Sequence, residues 1–305
     1  MMKIGVMGLG NIAQKAYVPV MNELRREVDW HFYSRDESKM KELAARHNWP
    51  FVYSDKEDFL ASGLDACFIH TPTPTHGALI EELLQLGIHV FVDKPVSEDY
   101  QEVVDLHRLA EERGLILMTG FNRRFAPFNQ QLKAVPAKNL IIAQKNRIQP
   151  KGQVKFEIFD MLIHVVDTVL YLLDDEIIDV HYQISAEAGI LQRGMITFET
   201  ATTTAIAATN MVAGAHTETV EVQAVGGSYT VSNLDQLSKN EKGQVSIDTF
   251  GDWENTLAKR GFKRLIEAFV EAVKTKQPST ITTAASSLQS HYYIAQLWEY
   301  YQEMN

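Results

Sequence analysis

The segment IFDMLIHVVDTVLYLL (158–173) is apolar except at Asp160, His164, Asp167 and Tyr171. On a helix, the steps of four, three and four residues place these side chains on one stripe, and Met161, Leu162, Val165, Val169 and Leu172 cover the other faces. A buried charge without a partner costs several kcal/mol or shifts its pKa until it is neutral, so the grouping implies mutual hydrogen bonds or a ligand. Two other arrangements stay open at this level. The stripe could face water, or it could hold a metal ion, although three ligands from consecutive turns of one helix converge poorly on one ion.

A second chemically suggestive set lies near the start. In GLGNIA (8–13), Gly8, Gly10 and Ala13 have G-x-G-x-x-A spacing. Gly8 permits a tight turn, Gly10 lets the backbone approach a pyrophosphate, and Ala13 allows close packing of helix on strand. Asn11 and Ile12 complete the turn, and the phosphates of a dinucleotide would rest on the N-terminus of the helix that follows. Where an acid would hold the adenine ribose, the chain has Ser34 and Arg35, which suit a 2′-phosphate and favour NADP(H) over NAD(H). Asp36 stands beside them and argues the other way, and Arg35 is also what a solvated loop would carry.

Two further loops follow apolar strands. TPTPTH (71–76) offers Thr71, Pro72 and Thr73 along a cofactor, with His76 either a helix-start residue or a member of the site. DKP offers Asp93, Lys94 and Pro95, and a lysine placed there can stabilise an alkoxide or bond a hydroxyl.

The elements that must position these residues read as alternating strands and helices. Strands are predicted at 3–7, 30–34, 51–53, 64–70, 88–92 and 115–119, with helices near 11–27, 36–48, 56–62, 75–86 and 97–113. Such alternation builds a parallel sheet covered on both faces, and in open sheets of that kind ligands bind at the carboxyl ends of the strands.

With 305 residues the chain exceeds one comfortable core, so two domains are expected. A formal charge of -10 argues against nucleic acid or an anionic membrane as partner. The single cysteine, Cys67, sits in the apolar run ACFI and reads as an inert core residue. The absence of a leader or of an apolar span of membrane length leads to an expected cytoplasmic location.

GLGNIA, TPTPTHGALIEELLQLGIHVFVDKP, GFNRRFAPF (120–128) and the pair Asp160/His164 together resemble the Gfo/Idh/MocA oxidoreductases. Within that family the chain looks most like the MviM-type branch of virulence-factor homologs, through GFNRRFAP, HVVDT and WENTLAKRGF. The resemblance implies an N-terminal Rossmann dinucleotide-binding domain (1–120) and a C-terminal α+β substrate-binding and oligomerisation domain (121–305) with an open, mainly antiparallel sheet. Strand-like runs at 139–148, 177–184, 194–199, 201–209, 218–225, 228–232 and 244–250, with helices at 256–275 and 283–303, agree with that architecture.

It also implies an activity, hydride transfer between nicotinamide and an alcohol of a sugar, polyol or related compound, in a homodimer or homotetramer. The family's catalytic roles fall on Lys94, Asp160 and His164, with the helix 156–173 beneath the nicotinamide and a cis Lys94–Pro95 bond. His164 is then the acid/base, with a pKa near 6.5 that suits proton exchange at neutral pH. Asp160 is its partner, Lys94 polarises the oxygen, and Asp167 is a packing residue. Asn122 and Arg123 fall beside the nicotinamide or serve to cap the junction of the domains. Asp93 replaces the family's glutamate, and its shorter arm alters contact with the nicotinamide ribose or with Lys94. A different class is open too: a regulator that binds the dinucleotide and does no chemistry, to which the lysine, aspartate and histidine would be superfluous.

Overall fold

The computed structural model describes residues 1–304, which divide into two compact units. The first is Met1–Gly120 with Phe262–Ala284, and the second is Phe121–Gly261 with the described residues from Ala285 onward.

The first unit is a six-stranded, wholly parallel sheet in the order β3-β2-β1-β4-β5-β6. Its strands are β1 (Met2–Met7), β2 (Val28–Tyr33), β3 (Phe51–Tyr53), β4 (Ala66–Ile69), β5 (His89–Val92) and β6 (Leu117–Thr119). This is the doubly wound Rossmann order, with its switch point between β1 and β4. Val6, Phe68, Ile69, Phe91 and Val92 are completely or almost completely buried, as strands covered on both faces must be. The covering helices are α1 (Val18–Glu23), α2 (Glu37–His47), α3 (Lys56–Leu60), α4 (His76–Gln85) and α5 (Tyr100–Glu112). Asp36, Asp55 and Asp99 cap α2, α3 and α5 by accepting from backbone N–H groups of the first turn.

The predicted helix 11–27 differs in detail: Ala13–Tyr17 is a π turn, and α1 ends at Glu23. The division after residue 120 matches the one expected, but the helix Phe262–Thr275, read as part of the second domain, belongs to the first unit. The physical reason is aromatic packing. Phe269 meets Phe68 edge-on at 4.9 Å and Phe91 at 5.5 Å, and Tyr17 meets Phe262 at 5.5 Å.

The second unit opens with a 3-10 turn (Asn122–Phe125) and α6 (Pro127–Lys133), and contains an eight-stranded sheet in the order β14-β13-β12-β11-β7-β10-β9-β8. The strands are β7 (Lys138–Asn146), β8 (Ile177–Glu187), β9 (Ile190–Thr200), β10 (Thr204–Asn210), β11 (Thr217–Ala224), β12 (Gly227–Ser232), β13 (Gln236–Glu241) and β14 (Gln244–Thr249). All neighbours are antiparallel except β7 and β10. Between β7 and β8 the chain forms α7 (Val154–Glu157), a π turn (Ile158–Leu162) and α8 (Ile163–Leu172). Along β9 and β10 buried residues alternate with half-buried ones, so one face of the sheet is core and the other is not. Strand β13 escapes the sequence pattern because QLSKNE is almost entirely polar. Its signal is the turn Lys242-Gly243, where φ values of 53° and 78° close a two-residue hairpin onto β14.

The predicted helix 256–275 is interrupted at Gly261 (φ 80°), where a Cβ would lie 2.3 Å from the Asn122 carbonyl oxygen. It therefore forms α9 (Thr256–Lys259) and α10 (Phe262–Thr275), followed by α11 (Ala284–Glu303). No helix among the described residues is long and apolar enough to cross a membrane.

Candidate active site

The glycine-rich turn leaves β1 at the switch point. Gly8 has φ 90°, and a Cβ there would stand 2.5 Å from the Thr71 nitrogen and 2.6 Å from the His70 carbonyl carbon. The turn thus lies directly against the start of the TPTPTH loop, which only glycine allows. At Gly10 the position of a Cβ has nothing within 4 Å, so this stretch of backbone borders open space, while Ala13 is fully buried behind it. Asn11 and Ile12 are exposed. Open space over a glycine backbone leading into a helix is the cradle that a pyrophosphate requires, so these residues fit a dinucleotide.

At the end of β2, Arg35 is exposed. Asp36 is occupied as the helix cap, its Oδ1 accepting from the Lys39 N–H at 2.9 Å, and its own N–H donates to Ser34 Oγ at 3.2 Å.

The loops after β4 and β5 are tied together by His76. Its Nε2 lies 2.8 Å from the Thr71 carbonyl oxygen and its Nδ1 2.9 Å from that of Pro95, and the ring is buried. His76 is therefore a strut between the two loops. Thr75 donates to the Pro72 carbonyl oxygen at 2.8 Å, leaving Thr71 and Thr73 half-buried and Pro72 exposed along the loop.

The Lys94–Pro95 peptide is cis, as the family resemblance implies. Both carboxylate oxygens of Asp93 have a partner inside the unit: Oδ1 accepts from the Tyr17 hydroxyl and Oδ2 faces His70 Nδ1 at 2.9 Å. Burial would push the Asp93 carboxyl up, but His70, the hydrogen bonds from His70 and Tyr17 and the Lys94 ammonium outweigh it and hold it below its ordinary value. The Tyr17 and His70 rings lie against each other with centroids 3.9 Å apart. Sequence reasoning missed both residues. Tyr17 read as one more helix residue and His70 as the end of a strand, and nothing in the local spacing joins them to Asp93.

In the second unit, Asp160 falls in the π turn, half-buried, and His164 in the first turn of α8, 8% exposed. The four polar residues of this segment are consequently not one α-helical stripe, because the i→i+5 turn displaces Asp160 from the line of the others. Asp167 is buried, in keeping with a packing residue. It forms a buried ion pair with Arg124, Nη2 to Oδ1 at 2.6 Å and Nε to Oδ2 at 3.0 Å, and accepts from the Ser290 hydroxyl at 2.9 Å. Tyr171 lies over two cations, its ring centroid 5.7 Å from Arg124 Cζ and 5.9 Å from Lys133 Nζ.

Asn122 and Arg123 have structural tasks in this unit. Asn122 donates to the Arg260 carbonyl oxygen at 2.8 Å, and Arg123 grips Glu218 with two bonds of 2.9 and 3.0 Å. Trp253 is fully exposed. Cys67 is fully buried, and burial pushes its thiol far up, in keeping with an inert residue. Among the described residues no group of three or more His, Cys, Asp or Glu is placed to hold a metal ion.

A parallel sheet in Rossmann order with an open glycine turn at its switch point, in a chain that also carries a mainly antiparallel-sheet unit, is the architecture of a dinucleotide-dependent oxidoreductase. Comparison with known proteins agrees. Residues 2–121 match the family described as "Oxidoreductase family, NAD-binding Rossmann fold", and residues 127–242 match "YceM-like, C-terminal domain". A Salmonella typhimurium protein named as an oxidoreductase, YceM, is 32% identical over 303 residues, covering 97% of each chain. The chain belongs to the Gfo/Idh/MocA oxidoreductase family.

Among solved structures, a Gfo/Idh/MocA family oxidoreductase from Vibrio cholerae superposes with a TM-score of 0.92 at 30% identity over 100% of this chain and 99% of its own. A Clostridium difficile dehydrogenase, MviM, shares the fold with a TM-score of 0.91 at 24% identity over 98% of this chain and 99% of its own. An inositol 2-dehydrogenase of Mycolicibacterium smegmatis is 29% identical over 155 residues, which is 48% of this chain and 45% of that one.

Proposed function

We propose that the chain is an NADP(H)-preferring dehydrogenase or reductase acting on a secondary alcohol or carbonyl of a sugar, polyol or related small molecule. The observation that carries this reading is the open side of the Gly10 turn, flanked at the switch point by the loop that starts at Thr71. The inositol 2-dehydrogenase among the relatives supports the substrate class.

Gly8, Gly10, Asn11, Ile12 and Ala13 are assigned to the pyrophosphate, and Ser34 and Arg35 to the ribose phosphate. The capping role of Asp36 supports NADP(H), since one of its carboxylate oxygens is already occupied. Thr71, Pro72, Thr73 and Pro95 are assigned to the nicotinamide half. Bound nicotinamide supplies the hydride acceptor or donor. His164 takes the hydroxyl proton, Asp160 stabilises the resulting imidazolium, and Lys94 donates a hydrogen bond to the substrate oxygen. The outward face of the eight-stranded sheet is assigned to a homodimer or homotetramer interface.

The test is a screen of sugars and polyols with NADP⁺, followed by NADPH absorbance. His164→Ala and Lys94→Ala are expected to lose at least about 10²-fold in kcat on the substrate found, with NADPH affinity retained. Turnover unchanged in His164→Ala would overturn the assignment.

A further inference from the structure

We propose that the second unit carries an anion-binding pocket that receives a phosphoryl group of the substrate. A cavity of about 400 Å³ opens where the end of β7 and its following loop meet the start of β11, the turn after β12 and the end of α9. It is lined by Arg147, Lys151, His216, Asn233 and Arg260, with Glu218 as its one carboxylate.

That carboxylate is already saturated with cations. Arg123 holds both its oxygens, Lys145 donates to Oε2 at 2.7 Å, and the Arg260 guanidinium stands 3.9 Å away. Arg123, Lys145 and Glu218 are all less than 9% exposed, so this charge is held in a poorly screened setting. Asp235 adds one more negative charge to the field at Arg260. Three arginines, Arg123, Arg147 and Arg260, together with the buried Lys145, thus face two carboxylates, with Lys151 also lining the pocket. Burial first, and the Arg123 charge second, push the Lys145 ammonium down to about 7 despite its bond to Glu218. A bound anion would offset the surplus of positive charge carried by the arginines.

Two guanidinium groups with a lysine at the rim suit the several oxygens of a phosphoryl group, which arginine binds in bidentate fashion. The pocket is also coupled to the helix assigned to catalysis. Glu157 Oε1, one residue before the π turn that holds Asp160, accepts from the backbone N–H groups of Lys151 and Gly152, the latter at 2.8 Å. An anion on Arg147 and Lys151 would therefore dock on a loop anchored to the base of that helix. The role in substrate binding rests on the oxidoreductase reading, and the anion site does not.

The experiment is calorimetric titration of the full chain with inorganic phosphate and, separately, inorganic pyrophosphate, each with and without saturating NADPH to block the glycine turn. Arg147→Gln and Arg260→Gln are measured alongside, with thermal melting and NADPH titration as controls for folding. Saturable binding that persists with NADPH and weakens at least about tenfold in either variant is expected, the loss of one charge-assisted contact. Tighter binding of phosphate assigns a phosphomonoester, and tighter binding of pyrophosphate a nucleoside diphosphate derivative. Absence of saturable binding, or binding that both variants leave unchanged, overturns the proposal. If phosphate binds through Arg147 while NADPH does not bind at all, the anion site stands and the oxidoreductase reading fails. If NADPH binds and neither anion does, only the anion site fails.

Discussion

His70 Nδ1 lies 2.9 Å from Asp93 Oδ2, so the residue that follows β4 holds the residue that precedes Lys94. The carboxylate between His70 and Tyr17 fixes the start of the loop that presents the lysine. Asp93→Asn is expected to lower stability by about 1–3 kcal/mol in denaturant unfolding, because a buried donor loses a charged acceptor. The sign of its pH dependence follows from the lowered carboxyl. Its contribution is present above the unfolded value of 3.8 and is lost as pH falls through the lower folded value. The wild type should therefore lose stability more steeply than Asp93→Asn below about pH 4.

Arg124 and Asp167 are 3% and 1% exposed at their side chains, and each is the other's charge partner. Removing one leaves the other buried and uncompensated. Arg124→Ala is expected to cost about 3–5 kcal/mol in urea unfolding, whereas the double variant Arg124→Met/Asp167→Leu should recover much of that loss. Equal destabilisation by the single and double variants would contradict the charge argument.

His291 is fully buried, and burial pulls its imidazole down to about 4 from 6.5, with Nδ1 bonded to the Ser287 carbonyl oxygen at 2.8 Å. The unfolded chain takes up a proton that the folded chain refuses. Stability from this group is complete above the unfolded value and declines as pH falls from about 6.5 to about 4, by up to about 3 kcal/mol. Thermal melting across that window should show a shallower slope for His291→Gln than for the wild type.

The two glycines of the turn separate folding from binding. Gly8→Ala meets both a φ of 90° and backbone atoms of the neighbouring loop at 2.5 Å, and should cost about 1–3 kcal/mol in stability. Gly10→Ala projects its methyl into open space. It should fold as the wild type does yet bind NADPH markedly more weakly, a contrast that melting and nicotinamide fluorescence measure side by side.

Much of the first unit is legible in the sequence, because strands, helices and loops alternate locally and each loop carries its own signal in Gly8, Thr71 or Lys94. What escapes is non-local. Tyr17 meets Asp93 across 76 residues and Arg123 meets Glu218 across 95, and no periodicity reports such pairings. The placement of α10 in the first unit depends in the same way on Phe269 finding Phe68 and Phe91. The stripe on 158–173 was legible as a polar grouping, but the π turn that carries Asp160 leaves no mark that a uniform helical period could detect.

The most direct test of nicotinamide-dependent function is a fluorescence titration of the purified chain with NADPH and NADH, on wild type and on Arg35→Ala. Saturable NADPH binding, tighter than NADH and weakened selectively by at least about tenfold in Arg35→Ala, is the expected result. If neither nucleotide shows saturable binding, the glycine turn serves the fold alone, and the assignment of Lys94, Asp160 and His164 to hydride-transfer chemistry is contradicted.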